Sequence, residues 1–423
     1  MKRIFYLSLF LALVCAVVLG QPTPGAAPSY GYNSVQALSQ ITSLPMIRGT
    51  WFYVDPYSGD STAYGKSIGT ACRHLDSAYA HCVDGRGDGI VVFSHDSAST
   101  TVYTTVNVRK TLRWAKSSIT VVGISAPCGY FGRARIAMSE MSTSGVTVTM
   151  TAHTVVRATG SFITDGWLAG MTGYCTSSGT SSANNAHTFT VSTVTALTLT
   201  FIETFSAQTA AECGTVVLTS YCSPLITVTG ENNAFYNLLI LNQGSLVCDT
   251  GGISIQANRN YMKNVHVIGA TSTAAGALAA YQFDLELDAS ECTFDGCYFG
   301  TNSTIWGAAN GHIKLGKSTT AIGQDFFNQC HVISYSSTSG AGAIYVTDAA
   351  TLNGWIQFNQ CTFVNWNIGG ITTLTKAIIG ATPNNTGIFL NDCGMVGWQA
   401  WGTGTMFVTT NGASGAGGIG SHL

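Results

Sequence analysis

Three acidic residues at alternate positions of one predicted strand have the types and spacing of a catalytic set. They are Asp284, Glu286 and Asp288, in the run Phe283-Asp-Leu-Glu-Leu-Asp288. Alternate side chains of a strand project from the same face, so these carboxyl groups would lie about 7 Å apart. Carboxyl groups separated by about 5 to 9.5 Å cleave glycosidic bonds. The pattern makes the three acids candidate catalytic residues of a polysaccharide-cleaving enzyme.

The same alternation is also typical of a solvated strand face. When the repeats described below are aligned, Lys314 lies beside Glu286, so an ordinary ion pair between neighbouring strands is available. The sequence has no Cys-x-x-Cys motif and no Cys/His spacing typical of a metal site. We therefore predict no metal and no cofactor, and we favour the reading in which this face is not catalytic.

A second set of residues could bind polysaccharide. His266, Tyr298 and His331 occupy one outward column of successive repeats, and Tyr345 lies in another outward row. Aromatic rings with a polar edge can stack on sugars. The alternative is that these side chains fill an ordinary surface.

Repeated strands must position all of these residues. Five segments align: Phe235-Tyr-Asn-Leu-Leu-Ile240, Met262-Lys-Asn-Val-His-Val267, Phe294-Asp-Gly-Cys-Tyr-Phe299, Phe327-Asn-Gln-Cys-His-Val332 and Phe358-Asn-Gln-Cys-Thr-Phe363. Their fourth residues recur every 27 to 33 positions (Leu238, Val265, Cys297, Cys330, Cys361). Each repeat carries a second alternating run, such as Ile226-Thr-Val228 or Ile313-Lys-Leu315. Such a period predicts a stacked parallel β-solenoid, in which each coil buries the apolar face of its neighbours.

The repeat resembles the right-handed parallel β-helix superfamily, which includes pectate lyases, polygalacturonases and phage tailspikes. The resemblance rests on coil ends such as Asn264-Val-His-Val-Ile-Gly269 and on columns of Phe and Asn that we interpret as inward. It implies an all-β fold. Of the polygalacturonase motifs the chain offers only Gly311-His-Ile-Lys314, and no arginine follows Arg259, so the pectate lyase set cannot be built in the later coils.

The sequence divides into six predicted segments. Residues 1–20 are typical of a signal peptide, 21–49 of an extended arm, and 50–138 of an N-terminal cap with the first coils. Residues 139–222 interrupt the repeat and predict an inserted small β-sandwich or barrel. Residues 223–402 form the remaining coils, and 403–423 a Gly-rich tail. Within the cap, helical spacing over Thr70–Val83 predicts a capping helix with Thr70 as its N-cap.

Composition limits the function classes. Charged residues make up 9% of the chain and the net charge is −2, which excludes the basic footprint of a nucleic-acid-binding protein. No membrane-length apolar run follows the predicted signal peptide. A weakly charged surface of this kind is common in extracellular and virion β-proteins. We therefore expect a secreted, surface or virion location.

Cysteines and asparagines add two expectations about modification. Of the 13 cysteines, Cys15 lies in the predicted signal peptide, which leaves an even number. Cys72 with Cys82, and Cys213 with Cys222 or Cys175, are candidate disulfides. Cys297, Cys330 and Cys361 fall in one inward column and could stay free or pair. Asn302 and Asn384 match the glycosylation pattern.

These features predict a structural protein that associates with copies of itself as a fibre, tailspike or surface filament, and that can bind surface polysaccharide. Two alternatives remain open. One is a polysaccharide depolymerase, lyase or glycoside hydrolase that uses Asp284, Glu286 and Asp288. The other is a secreted adhesin.

Overall fold

A computed structural model describes most of the chain from Pro45 onward. The described residues are 45–94, 106–125, 133–138, 140–177, 184–244, 251–271, 282–304, 306, 310–316, 322–336, 341–347, 354–366, 376–380, 387–402 and 407–411. The predicted signal peptide and nearly all of the predicted arm lie outside these ranges. In the described residues, no helix is long and apolar enough to cross a membrane.

The N-terminal part contains the cap and the first coils. Its elements are β1 (Trp51–Val54), a short 3-10 helix (Ile68–Thr70), α1 (Leu75–His81), β2 (Gly89–Ser94), β3 (Val106–Val108), β4 (Leu112–Trp114), β5 (Thr120–Ser125) and β6 (Ala134–Met138).

The inserted unit follows. Its elements are β7 (Ser142–Val146), β8 (Val148–Met150), β9 (Thr154–Arg157), α2 (Phe162–Asp165), β10 (Thr172–Ser177), β11 (His187–Val194), β12 (Thr198–Phe201), α3 (Ala210–Cys213) and β13 (Val216–Tyr221). The strands form one seven-stranded antiparallel sheet, in the order β7-β13-β10-β11-β12-β9-β8. The unit has its own apolar core, which includes Phe162, Trp167 and Phe189.

The later coils contain short strands only. They are β14 (Ile226–Val228), β15 (Ala234–Tyr236), β16 (Leu238–Leu241), β17 (Ile253–Ile255), β18 (Tyr261–Lys263), β19 (His266–Ile268), β20 (Leu285–Leu287), β21 (Thr293–Asp295), β22 (Tyr298–Gly300), β23 (Gly311–Leu315), β24 (Asp325–Asn328), β25 (His331–Ser334), β26 (Gly342–Val346), β27 (Trp355–Asn359), β28 (Thr362–Asn365), β29 (Ile378–Gly380), β30 (Gly387–Asn391), β31 (Gly394–Val396) and β32 (Phe407–Asn411).

Three parallel sheets wrap around one core. Sheet 1 has ten strands (β1-β2-β5-β15-β18-β21-β24-β27-β30-β32), sheet 2 has eight (β3-β6-β16-β19-β22-β25-β28-β31), and sheet 3 has seven (β4-β14-β17-β20-β23-β26-β29). From β14 to β28 the chain visits the three sheets in one cyclic order, and each strand pairs with its counterpart one coil away. The chain is a right-handed parallel β-helix, as the repeat predicted.

The inward columns form the core of the solenoid. The rings of Phe294, Phe327 and Phe358 stack in succession, with centroids 4.4 and 4.5 Å apart. Beside them the thiols of Cys297, Cys330 and Cys361 are buried and free. Each thiol donates to a backbone carbonyl of the preceding coil, such as that of Phe327 for Cys361 at 3.2 Å. Of the two options open for this column, the structure shows the unbridged one.

The third column of the repeat does not point inward, which corrects the prediction. Asn237, Asn264, Gln329 and Gln360 are half-exposed or exposed, and their φ angles lie between 52° and 55°. They form the sharp turn from sheet 1 to sheet 2, where one residue per coil must adopt the left-handed conformation. Asparagine and glycine tolerate this conformation best, so the column records turn geometry rather than packing.

The capping helix is shorter than predicted. It begins at Leu75 with His74 as N-cap, because Cys72 stays extended and pairs with β1 through the bond from Cys72 N–H to the Tyr53 carbonyl at 2.8 Å. Leu75 and Ala78 pack into the solenoid core beneath β1 and β2. At the other end, β32 shows that part of the predicted tail forms one more strand on sheet 1.

The predicted disulfides are not formed. Cys72, Cys82 and Cys175 are free, and Cys213 and Cys222 are not joined to each other. Burial favours the neutral thiols, which donate to nearby carbonyls, as Cys72 does to Ala63 at 3.2 Å. Cys213 lies in the core of the inserted unit and Cys222 in the solenoid core, so the two belong to different clusters.

Candidate functional site

The three predicted catalytic acids lie on the outer side of sheet 3, but they are buried. Asp284, Glu286 and Asp288 flank or belong to β20, with Leu285 and Leu287 pointing inward, as the alternation predicts. Their exposed fractions are only 0%, 2% and 4%. The expected solvated face is therefore wrong: the acids are packed against residues of neighbouring coils, such as Ser254, His312 and Lys314.

Glu286 is held by partners from both neighbouring coils. The in-register pairing of β20 with β23 places Lys314 opposite Glu286. The Lys314 ammonium donates to Oε1 at 2.8 Å, and the Ser254 hydroxyl donates to Oε2 at 2.6 Å. The Lys314 ammonium also lies 5.2 Å from the ring centre of Phe283. The predicted ion pair thus exists, but as a desolvated pair inside a hydrogen-bonded network.

Asp284 and His312 form a second buried pair. The carboxylate contacts His312 Nδ1 at 2.6 Å through Oδ2 and accepts the Gly269 N–H at 2.6 Å through Oδ1. The His312 ring packs against Trp306, with centroids 4.3 Å apart. Its second nitrogen, Nε2, is buried and has no hydrogen-bond partner in the part of the chain that the structure describes. A carboxylate that orients an imidazole is the arrangement of a general base, although this ring is sealed from solvent.

Three of the four predicted binding residues form a continuous ring column on sheet 2. The rings of His266 and Tyr298 lie 5.8 Å apart, and Tyr298 stacks on His331 at 4.6 Å. The Arg133 guanidinium lies 4.6 Å from the Tyr298 ring centre. Because Tyr298 stacks on His331 and Arg133 lies over the Tyr298 ring, the column offers edges and polar atoms to a sugar rather than a flat platform. Tyr345 lies apart, on sheet 3 beside Lys314.

His266 differs from the other two rings. It is buried, and its Nε2 contacts the Gly300 carbonyl at 2.8 Å. Burial lowers the pKa of His266, partly offset by this hydrogen bond. Burial also lowers the pKa of His331. At neutral pH both imidazoles of the column are therefore neutral, and the Arg133 guanidinium beside Tyr298 is the charged group in contact with it.

A ladder of side-chain amides on sheet 1 was missed by sequence reasoning. Asn328 donates to Asp295 at 2.7 Å, Asn359 donates to Asn328 at 2.8 Å, and Asn391 donates to Asn359 at 2.9 Å. All four side chains are half-buried on the outer face. The sequence pattern could have revealed the ladder, because each of its residues directly follows the inward phenylalanine or leucine of its coil.

Asp325 was also missed. It lies at the start of β24 and is buried. Oδ1 accepts the Cys292 N–H at 2.7 Å, and Oδ2 has no hydrogen-bond partner among the described residues. Burial raises the pKa of Asp325 to about 8. The residue occupies the coil position that Asn233 and Asn260 hold in earlier coils. Alignment with these neutral residues would have indicated that Asp325 is protonated in the fold.

The remaining predicted site residues concern modification. Asn302 is exposed on the turn after β22, although Thr304 of the same motif is buried. Asn384 lies outside the described residues. Among the described residues, no group of three or more His, Cys, Asp or Glu side chains could hold a metal ion.

Comparison with known proteins identifies no family for the chain. No protein-family model matches the chain, and no curated protein matches its sequence. A pectin methylesterase mutant in complex with a hexasaccharide is a similar solved structure, with 11% identity, a TM-score of 0.43, and coverage of 89% of this chain and 92% of that chain. Pectin methylesterase PemA from Erwinia chrysanthemi has 10% identity and a TM-score of 0.41, with coverage of 89% of this chain and 92% of that chain. The tailspike protein gp49 from Pseudomonas phage LKA1 has 13% identity and a TM-score of 0.26, with coverage of 80% of this chain and 62% of that chain.

Proposed function

We propose that the chain is a non-enzymatic structural β-helix protein of an extracellular assembly or virion, and that it associates with copies of itself. One observation carries this proposal: the acids best placed for catalysis are buried, and Asp284 and Glu286 bind partners from the chain itself. A glycosidase needs its carboxyl groups open to the scissile bond. Here the same groups join neighbouring coils.

An aliphatic row on sheet 2 supports self-association. Ile268, Ile333, Val364 and Val396 point outward and are half-buried, and the last three pair in register. The row runs along the solenoid axis and carries no charge. Two copies of an uncharged apolar row do not repel each other, so the row suits an interface between identical chains.

The test is a charge introduced into this row. Ile333→Glu with Val364→Glu should shift the protein from oligomer to monomer in sedimentation velocity, because burying two adjacent carboxylates at an interface is costly. The control is Leu197→Glu, at an exposed leucine of the inserted unit, which should leave the oligomer intact. An oligomer that survives the double substitution would remove sheet 2 as the interface.

A second candidate function is polysaccharide cleavage, which the unpartnered Nε2 of His312 favours. In that case a substrate would have to displace the side chains that bury the Asp284–His312 pair, such as Trp306. His312→Gln would then abolish cleavage of a polysaccharide panel that the unmodified protein cleaves. The structural proposal expects no cleavage by either protein, and it expects Glu286→Gln to leave any polysaccharide binding intact.

A further inference from the structure

A small cavity lies where the cap, the first coils and the inserted unit meet. Its volume is about 70 Å³. The start of α1 contributes Leu75, the β3–β4 turn contributes Arg109 and Lys110, and the inserted unit contributes Leu168. A single water occupies about 30 Å³ in the liquid, so the space suits a few waters or one small polyatomic group.

Two of the residues that line the cavity, Arg109 and Lys110, are cations. Neither Arg109 nor Lys110 forms an ion pair or hydrogen bond with the rest of the described chain. The whole sequence has only 18 lysines and arginines, so two adjacent unpaired cations at one cavity are a marked concentration. The acid among the lining residues is Asp76, whose Oδ1 accepts the Ser77 N–H at 3.0 Å.

The surrounding charges reinforce this excess. Burial lowers the pKa of His74, which also lines the cavity; Asp76 opposes this effect, and Arg109 and Arg73 add to it. Both guanidinium groups are therefore close enough to act on the imidazole. The lining cations Arg109 and Lys110, together with the nearby Arg73, outnumber the lining acid Asp76, so the charge of these groups is positive.

We propose that this cavity binds a small oxyanion, the carboxylate or phosphate group of an acidic glycan or a free anion of that class. The Arg109 guanidinium presents a planar set of donors that matches two oxygens of such a group, and Lys110 supplies a point charge. Leu75, Val108 and Leu168 supply the apolar part of the lining, which suits the carbon atoms of a glycan that carries the anionic group. The site is independent of self-association, since no lining residue belongs to the sheet 2 row.

The experiment is calorimetric titration of the full-length protein with inorganic phosphate, with glucuronate, and with neutral glucose. We expect phosphate, glucuronate or both to bind, with affinity falling as salt rises, and glucose not to bind. Binding of phosphate alone identifies a phosphate group, and binding of glucuronate alone identifies a uronic acid. Failure of both anions to bind would overturn the proposal.

Two variants test the location. Arg109→Gln with Lys110→Gln should weaken binding at least tenfold, whereas Lys66→Gln with Lys263→Gln, a matched removal of two exposed cations elsewhere, should change it less than twofold. Leu168→Trp keeps every charge but fills the mouth of the cavity, and it should also abolish binding; Leu168 is 46% exposed, so the fold tolerates the larger ring. If the two double variants lost equal amounts of affinity for the anion, the attraction would be non-specific, and this would contradict a site at the cavity.

Discussion

Sheet 3 and sheet 1 carry polar rows on outward faces of the same solenoid, yet the two rows behave as opposites. On sheet 3, Glu286 and Lys314 are buried and joined at 2.8 Å. On sheet 1, Asn328 and Asn359 form a half-exposed amide ladder with a similar spacing of 2.8 Å. Alternation sets which side of the strand a residue takes in both cases. Whether that side meets water depends on what lies over the sheet.

The difference has an energetic consequence. A buried ion pair gives little net stability over apolar residues, but removal of one partner leaves a charge without compensation. An amide ladder near solvent exchanges its hydrogen bonds with water at small cost. Sheet 3 should therefore be sensitive to single substitutions and sheet 1 tolerant of them.

The largest loss of stability expected from a single substitution is in the sheet 3 ion pair. Lys314→Met should destabilise the protein by about 3 to 5 kcal/mol, because Glu286 stays buried without its cation. The measurement is the free energy of unfolding from denaturant titration. Combining it with Glu286→Gln should recover much of the loss, and Lys263→Met on exposed sheet 1 should cost less than about 0.5 kcal/mol. Equal costs for Lys314→Met and Lys263→Met would refute the distinction between the two faces.

Asp325 should make stability depend on pH. Burial raises the pKa of its carboxyl group from 3.8 to about 8. Between these two pH values the folded chain keeps a proton that the unfolded chain releases. Stability is therefore greatest below the ordinary pKa, falls by up to about 1.4 kcal/mol per pH unit as pH rises, and levels off above about 8.

Asp325→Asn tests this linkage. The amide keeps an acceptor for the Cys292 N–H and never ionises, so the variant should lack this part of the pH dependence and be more stable than the unmodified protein at pH 8. Stability measured at pH 5 and pH 8 gives the comparison. Parallel pH profiles for the two proteins would mean that Asp325 is ionised in the fold.

The amide ladder on sheet 1 should give a smaller effect. Asn359→Ala breaks the hydrogen bonds that join Asn328 to Asn391 and should cost about 1 kcal/mol, since the released amides can bond to water. Denaturant titration against Asn302→Ala, at an exposed asparagine outside the ladder, isolates the contribution of the ladder. A cost above about 3 kcal/mol would indicate that this face is covered as sheet 3 is.

The smallest expected effect is that of a thiol reagent on the folded protein. Burial raises the pKa of Cys292 to about 12, and the thiols of Cys297, Cys330 and Cys361 lie in the closed core. Labelling followed by peptide mapping should leave these residues unmodified until the protein is unfolded. Modification of Cys361 in the native state would show that the solenoid opens locally.

The comparison of the two sheets also shows which features of the structure can be predicted from the sequence and which cannot. The inward phenylalanine and cysteine columns were predicted correctly, because packing repeats once per coil. The Glu286–Lys314 pairing was also available from the alignment. Burial of that pair was not, because it depends on individual side chains such as Phe283, which lies beside Lys314 and is not specified by the repeat.

Two other differences have local causes. The repeat predicts an inward Asn237 column, whereas the structure uses it for a left-handed turn; over a few repeats, both positions can select similar polar residues. The helix was placed at Thr70 because helical spacing extends through Cys72, whereas pairing of that residue with β1 keeps the backbone extended. In both cases a tertiary constraint overrides the local pattern.

Sedimentation velocity of the purified protein over a wide concentration range tests the central claim most directly. We predict species several times larger than the 44.3 kDa chain, or fibres that sediment at low speed. Their size should fall when Ile333 and Val364 are both replaced by glutamate. A single monomeric species at every concentration would contradict a self-associating structural role and would favour the alternative of an enzyme built on the Asp284–His312 pair.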